Sequence, residues 1–146
     1  YCTFANQNYQ SPSQFVKKSG MRQKCDTNIK LAQELINNKY YTNSVHCSYY
    51  ACLQFIKYIL DKKNVCSFQK QNEKKDNSHL FILNKLINEI RSPKTLRYVR
   101  TNFNSLKDKR VRADYHEDVF EADESLTAID EAKGIIYQVR TAFGEH

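Results

Sequence analysis

The sequence contains few residues that interrupt helices. It has three glycines and two prolines among 146 residues, which is too few for a sheet built with many tight turns. The glycines are scattered, so they cannot form a glycine-rich loop that cradles phosphate. Long polar runs with so few breaks favour helices instead. A chain of this length forms one domain and buries a hydrophobic core.

The sequence also lacks an apolar run long enough to cross a membrane. Its first residues are too polar for a secretory signal peptide. We therefore expect neither membrane insertion nor secretion, and we expect a cytoplasmic location.

The cysteines form no recognisable framework. Their number is odd, and they are scattered largely at positions where a helix would bury them. They are Cys2, Cys25, Cys47, Cys52 and Cys66. Nothing near Cys47 and Cys52 completes a set of zinc ligands, so we expect reduced thiols that pack as small apolar groups. No metal or other cofactor is expected.

Two histidines stand beside groups that suggest other chemistry. His116-Glu117 lacks the second histidine of a helical zinc-protease motif and the paired cysteines of a deaminase. His46 and Cys47 adjoin on a predicted core helix, where a nucleophilic Cys-His pair is a minor alternative to simple packing.

Positive charge exceeds negative charge in this chain. It has 23 Lys and Arg against 16 Asp and Glu, a formal net charge of +7. Such an excess suits a polyanion such as RNA, or an acidic protein partner. It is equally compatible with solubility alone.

Residues 1–21 are predicted to form an N-terminal arm, in which Ser11 to Gln14 could cap a short helix. Residues 22–146 are predicted to form a single domain, because apolar side chains recur there at helical spacing. Its helices are predicted over Arg22–Asn38, Ser44–Lys62, His79–Arg91, Lys94–Arg112 and Asp123–Phe143.

The expected N-caps are Asn43 or Ser44 for the second helix, Ser78 for the third, and Asp123 or Ser125 for the last. Pro93 suits the first turn of the fourth helix.

The segment 64–77 has no apolar stripe and is predicted to be an exposed loop. The helix Ser44–Lys62 is apolar around most of its girth and is expected in the middle of the fold. Leu80 and Leu126 are assigned to buried stripes. The predicted common core contains Tyr49, Cys52, Ile56, Leu83, Phe103 and Ile136. Together these patterns predict an all-α, mostly antiparallel bundle of four to five helices.

The fourth helix carries an arginine on its buried side. Its apolar stripe, Leu96, Val99, Phe103 and Leu106, continues by one helical step onto Arg110. A guanidinium in such a position must be paired or must open onto a cleft. His116 follows six residues later, and histidine is the side chain best suited to proton transfer near neutral pH. The simpler alternative pairs Arg110 with Asp114 at the i+4 position and leaves His116 in solvent.

Basic side chains flank that stripe. We call Lys94, Arg97, Arg100, Lys107 and Lys109 the basic ridge. A row of this kind could follow an RNA backbone or meet an acidic partner, or it could be a solvated helix face. The charge then reverses in an acidic segment from Asp114 to Glu124.

Two stretches of the chain resemble a known family. SVHCSYYACLQFIKYIL, from Ser44 to Leu60, resembles the "SYYA" core helix of the HEPN domain (higher eukaryotes and prokaryotes nucleotide-binding). RVRADY, from Arg110 to Tyr115, resembles the R-x-x-A-D-Y end of helix four in one bacterial and archaeal branch. SHLFILNKL, around His79, is similar to the short histidine-containing helix start of that branch. The order and spacing agree over roughly residues 22–143.

The resemblance implies a helical bundle that forms homodimers through the helices bearing these motifs. Some HEPN domains are metal-independent ribonucleases, often toxins paired with a nucleotidyltransferase-like antitoxin, and use an arginine followed four to six residues later by a histidine. Others lack a working motif and serve as RNA-binding or scaffold modules. Here five residues separate Arg110 from His116. Val111 follows the arginine where the family's nuclease motif usually has a polar residue.

Two functions therefore remain open. In an endoribonuclease, Arg110 would hold the phosphate and His116 would transfer a proton. The supporting residues would be Asp114, Tyr115, Tyr49, Tyr50 and His79. A six-residue step in an unbroken helix leaves two side chains about 120° apart, so the helix must end near Ala113 or a dimer must share the site. The alternative is a noncatalytic binding or scaffold domain for RNA or for a partner such as a nucleotidyltransferase-like antitoxin.

Overall fold

The computed structural model describes residues 19–145, and the predicted helix start at Ser11 to Gln14 lies outside that range. Within it, all regular secondary structure is helical. The helices are α1 (Gly20–Asn37), α2 (Tyr41–Lys62), α3 (Phe68–Glu73), α4 (Ser78–Ile87), α5 (Pro93–Tyr115) and α6 (Ala122–Ala142). The predicted all-α fold is confirmed. No helix in this range is long and apolar enough to cross a membrane.

The four long helices run mostly antiparallel to their neighbours. Near one end of the α1–α2 pair, the Ser44 hydroxyl donates to the Ala32 carbonyl at 2.8 Å. Near the other, the Arg22 guanidinium lies over the Phe55 ring. On α5 and α6, Arg112 reaches Glu124 while Lys109, one turn earlier on α5, reaches Glu131. In each of these pairs, the two helices therefore run in opposite directions, as the bundle prediction requires.

Helix α2 is the centre of the bundle, because it packs against α1, α5, α6 and the short helices. Most of its side chains are buried, as its apolar girth predicts. The six predicted core residues all belong to one buried cluster. Burying side chains of this size contributes roughly 1.5–3 kcal/mol each.

Several predicted helix starts are wrong. Helix α2 begins at Tyr41, and Ser44 lies inside it with its buried hydroxyl bonded to α1 rather than to its own backbone. Helix α4 begins at Ser78 itself. Helix α6 begins at Ala122, and the buried Ser125 hydroxyl donates to the Ala122 carbonyl instead of capping the helix. Short polar side chains near a helix start suit both roles, so the sequence does not separate them.

The segment 64–77 is only partly a loop. Helix α3 forms within it, and the Ser67 hydroxyl caps it by accepting from the Lys70 N–H. Gln71 is buried, and its Nε2 donates to the carbonyls of Lys57 at 3.0 Å and Cys66 at 2.8 Å. The prediction missed α3 because a polar side chain, rather than an apolar one, attaches this helix to α2.

Helix α5 begins as predicted and ends later. Pro93 is its first residue, and the Ser92 hydroxyl accepts from the Thr95 N–H. The preceding helix, α4, ends at Ile87 rather than Arg91, whereas α5 continues past Arg112 to Tyr115. Asp114 and Tyr115 are therefore helical, and His116 is the first residue beyond the helix.

Candidate functional site

Arg110 lies on the inner side of α5, where the stripe predicts it. Its side chain is 13% exposed. The guanidinium Nη2 donates to the Tyr50 hydroxyl on α2 at 2.7 Å. Its Nε lies 3.0 Å from Oδ2 of Asp114, one turn along α5. The Nε–H is not aligned for a hydrogen bond to that oxygen, so the contact with Asp114 is an ion pair.

Three tyrosine rings surround this cation. The guanidinium carbon of Arg110 lies 5.4 Å from the ring centre of Tyr49, 5.3 Å from Tyr50 and 5.4 Å from Tyr115. Each distance is within cation–π range. Burial alone would lower the pKa of Arg110, but Tyr50, Asp114 and Tyr115 outweigh it and raise that pKa above its usual value. The site therefore contains a permanent, fixed positive charge.

Asp114 also contacts a histidine that sequence reasoning did not assign to this site. Nδ1 of His46, on α2, lies 2.9 Å from each carboxylate oxygen of Asp114. The His46 ring also packs on Tyr50, with 4.6 Å between ring centres. A signal was present in the sequence, because His46 precedes Tyr50 by four residues and so shares its helix face.

The neighbouring Cys47 is only 8% exposed. It is buried with Ala32, Ile36 and Ile129, between α1 and α6. Burial raises the pKa of its thiol, which disfavours the reactive thiolate. Cys25, Cys52 and Cys66 are also free and buried, whereas Cys2 lies outside the described residues. These thiols pack as small apolar groups, as the sequence predicts.

A second histidine joins the cluster from α4. Nδ1 of His79 lies 2.8 Å from the Tyr49 hydroxyl. Burial lowers the pKa of His79, and the positive charges of Arg110, Lys57 and Lys107 lower it further. Burial also raises the pKa of Tyr49. The Tyr49 phenol therefore stays protonated, and its O–H donates a hydrogen bond to Nδ1 of the neutral His79 imidazole.

His116 stands apart from these contacts. It is exposed, and its backbone N–H donates to the Arg112 carbonyl at 3.1 Å, which closes the last turn of α5. Its own backbone is extended. Within the described part of the chain, no hydrogen bond or ion pair joins it to Arg110. His116 is the first residue after α5, and it directly follows Asp114 and Tyr115, which both contact Arg110.

The basic ridge is divided in space. Lys94, Arg97 and Arg100 are exposed, and Lys107 lines an open groove of about 260 Å³ with the first residues of α4, including His79. Lys109 is turned to the other side, where its Nζ bonds Ser105 and forms an ion pair with Glu131. Four of the five predicted ridge residues thus remain available, and the last of them borders the His79 groove.

Arg112 anchors the acidic segment. It forms ion pairs with Asp118 at 3.0 Å and Glu124 at 3.3 Å, and its guanidinium lies over the buried Phe120 ring. The Phe120 N–H also donates to the Thr42 hydroxyl on α2. These contacts fix the path of the chain immediately after His116.

Among residues 19–145, no group of three or more His, Cys, Asp or Glu side chains is arranged to hold a metal ion. The site itself consists of the Arg110 cation, the Asp114 carboxylate, tyrosine hydroxyls and imidazoles.

No protein-family model matches this chain, and no curated protein matches its sequence. The HEPN resemblance rests on the motifs from Ser44 to Leu60 and from Arg110 to Tyr115, which contribute the Tyr50–Arg110–Asp114–His46 contacts.

Proposed function

We propose that this protein is a HEPN-like, metal-independent endoribonuclease that acts as a homodimer. The observation that carries the proposal is the fixed Arg110 cation, which joins Asp114, His46 and Tyr50 at one site. Cleavage of RNA without a metal requires a cation beside the phosphate and groups that move protons. The side chains at this site are of those types.

The basic ridge supports RNA as the substrate. Lys94, Arg97, Arg100 and Lys107 form a row along α5, and Lys107 borders the groove beside His79. Cations exposed along one helix neutralise the phosphates of a nucleic-acid backbone. An RNA strand following the ridge would be led toward the Arg110 end of α5.

Exposed apolar side chains support the homodimer. Two of them lie close to the site in the chain, one directly after Asp114 and one directly before Phe120, whose N–H donates to the Thr42 hydroxyl. Tyr115 is 71% exposed and Val119 is 79% exposed. Large apolar groups grouped at one end of a domain are typical of an association surface. Pairing of two chains there would bring the two Arg110 sites together.

A cleavage assay with wild-type protein tests the proposal. A mixed RNA pool should be cut equally well with and without a chelator, and the products should carry 2′,3′-cyclic phosphate and 5′-hydroxyl ends. An intact RNA pool, or cleavage that stops when the chelator is added, would contradict it.

A second function is favoured by one feature of the site. Nη2 of Arg110 already donates to the Tyr50 hydroxyl, its Nε is paired in charge with Asp114, and the side chain is largely enclosed. This arrangement also suits a noncatalytic module that binds RNA, or a partner such as a nucleotidyltransferase-like antitoxin. RNA retained by the protein at low salt and recovered uncut would identify this function.

A further inference from the structure

Intramolecular cleavage of RNA requires three groups, and the predicted pair supplies only two. A cation stabilises the phosphate, a base removes the proton of the 2′-hydroxyl, and an acid protonates the leaving oxygen. Arg110 can serve as the cation and His116 as one proton carrier. We infer that His46, oriented by Asp114, is the general base of the proposed reaction. This inference rests on the proposed function.

The Asp114 contact determines which nitrogen of His46 is free. An ionised carboxylate only accepts hydrogen bonds, so Nδ1 of His46, at 2.9 Å from both oxygens, carries a proton. In the neutral imidazole, the other nitrogen, Nε2, then has its lone pair available. Within residues 19–145, Nε2 makes no hydrogen bond, and the His46 side chain is 48% exposed. The imidazole is both oriented and accessible.

Asp114 is in turn held by Arg110. The arginine Nε lies 3.0 Å from Oδ2 of Asp114, and Tyr50 bonds Nη2 of the same guanidinium. A carboxylate fixed on one side by a cation can hold an imidazole at a set angle on the other, as the third group of a catalytic triad does. Asp114 is therefore a positioning residue. It contacts both His46, the base, and Arg110, the cation that stabilises the phosphate.

Stability does not account for this geometry. A hydrogen bond between a half-exposed imidazole and a carboxylate adds little to the free energy of folding. His46 and Asp114 also line a groove together with Leu31, Leu35, Thr42 and Ala113, whose volume of about 460 Å³ is in the range of small-ligand sites. A nucleotide in that groove would lie beside the His46 ring.

The proposed step balances in atoms and protons. Nε2 of His46 takes the 2′-hydroxyl proton while the 2′-oxygen forms a bond to the adjacent phosphorus. The bond from phosphorus to the 5′-oxygen breaks, and that oxygen takes a proton from the imidazolium of His116. The products are a 2′,3′-cyclic phosphate and a 5′-hydroxyl. His116 lies two residues after Asp114, so their Cα atoms are at most about 7.6 Å apart.

His46→Asn provides the direct test, because its amide can still donate to Asp114 but has no basic nitrogen. Cleavage should fall by about 10²–10⁴-fold, with the melting temperature and the RNA retention unchanged. His46→Gln, whose amide sits farther along the side chain, serves as a second variant. The matched variant for the acid is His116→Ala.

A substrate with sulfur in place of the 5′-bridging oxygen separates the two histidines, because a thiolate leaves without a proton. This substrate should restore cleavage by His116→Ala but not by His46→Asn. Restoration of both variants, or wild-type cleavage by His46→Asn, would overturn the role of His46 and leave the proposed function standing. Loss of RNA retention or melting temperature in His46→Asn and His46→Gln would make His46 structural. A wild-type protein that cuts no RNA would remove both proposals.

Discussion

At the scale of single residues, the site combines a local contact on α5 with a long-range contact between α5 and α2. The stripe from Leu96 to Leu106 places the arginine on the inner face of α5, and i+4 spacing offers it Asp114. His46 joins them from α2, across 68 residues of sequence. Such a contact depends on how two helices pack, and neither helix pattern contains that information by itself.

His79 should make stability depend on pH. Its pKa is lowered by burial and by Arg110, Lys57 and Lys107, while its Nδ1 accepts from Tyr49. The unfolded chain binds a proton below about pH 6.5, whereas the folded chain resists protonation until lower pH. Stability from this group is therefore present above that pH and lost as pH falls toward the lowered pKa.

Denaturant unfolding of wild type and His79→Gln between pH 7.5 and about pH 5 measures the effect. Wild type should lose more free energy of unfolding over this range than the variant, because the variant has no imidazole to protonate. Parallel losses in the two proteins would show that His79 does not contribute this dependence.

At the scale of elements, the period of apolar residues located five of the helices within a few residues of their observed bounds. Helix ends were less predictable, because Ser44 and Ser125 bond to carbonyls inside the fold. Leu80 and Leu126 are exposed rather than buried. Leu80 is the third residue of α4 and Leu126 the fifth of α6, so each lies near the start of its helix, where the apolar pattern continues although the side chain is exposed.

Helix α3 should depend on one amide. Gln71→Ala would remove the donor to the Lys57 and Cys66 carbonyls. Leaving buried polar groups without partners costs about 1–3 kcal/mol, so the free energy of unfolding should fall by that amount. Gln69→Ala, at an exposed position of the same helix, is the matched control and should change stability little. Equal effects from the two substitutions would contradict the anchoring role of Gln71.

The basic ridge on α5 should be responsible for RNA binding. Arg97→Glu combined with Arg100→Glu should abolish retention of RNA without changing the helical spectrum, because both side chains are exposed. Lys30→Glu combined with Lys133→Glu makes a similar reversal of charge at exposed positions on α1 and α6 and should retain binding.

Salt dependence provides an independent check on the ridge. Affinity of the wild-type protein should fall steeply between low and physiological salt, since binding releases counterions from the phosphates. An affinity that does not change over this range, or equal losses from the two double variants, would rule out binding along the ridge.

At the scale of the whole molecule, the all-α bundle and its central helix followed from composition and period. The homodimer remains a prediction. Val119 is exposed beside the proposed association surface, and Val119→Asp would place a charge there without disturbing the core. Sedimentation at tens of micromolar should show a wild-type dimer and a weakened dimer for this variant.

Tyr137→Asp is the control for that substitution. Tyr137 is an exposed apolar side chain on α6, outside the groove beside Arg110. This variant should sediment like the wild type. A wild-type protein that is monomeric at these concentrations would contradict the dimer.

The central claim is that Arg110 and His116 act together on RNA. His116→Ala should lower the cleavage rate by about 10²–10⁴-fold and leave RNA binding intact. Arg110→Ala should lower it as severely and also reduce stability, because Asp114 and the Tyr50 hydroxyl lose their partner.

The most direct test is the cleavage rate of the double variant. It is measured together with the melting temperatures of the wild type, the two single variants and the double variant. Residues that act as one unit are not additive, so Arg110→Ala with His116→Ala should cleave scarcely more slowly than either single variant. A wild type that leaves RNA intact, together with a destabilised Arg110→Ala and an unchanged His116→Ala, would make Arg110 a structural residue and contradict the nuclease.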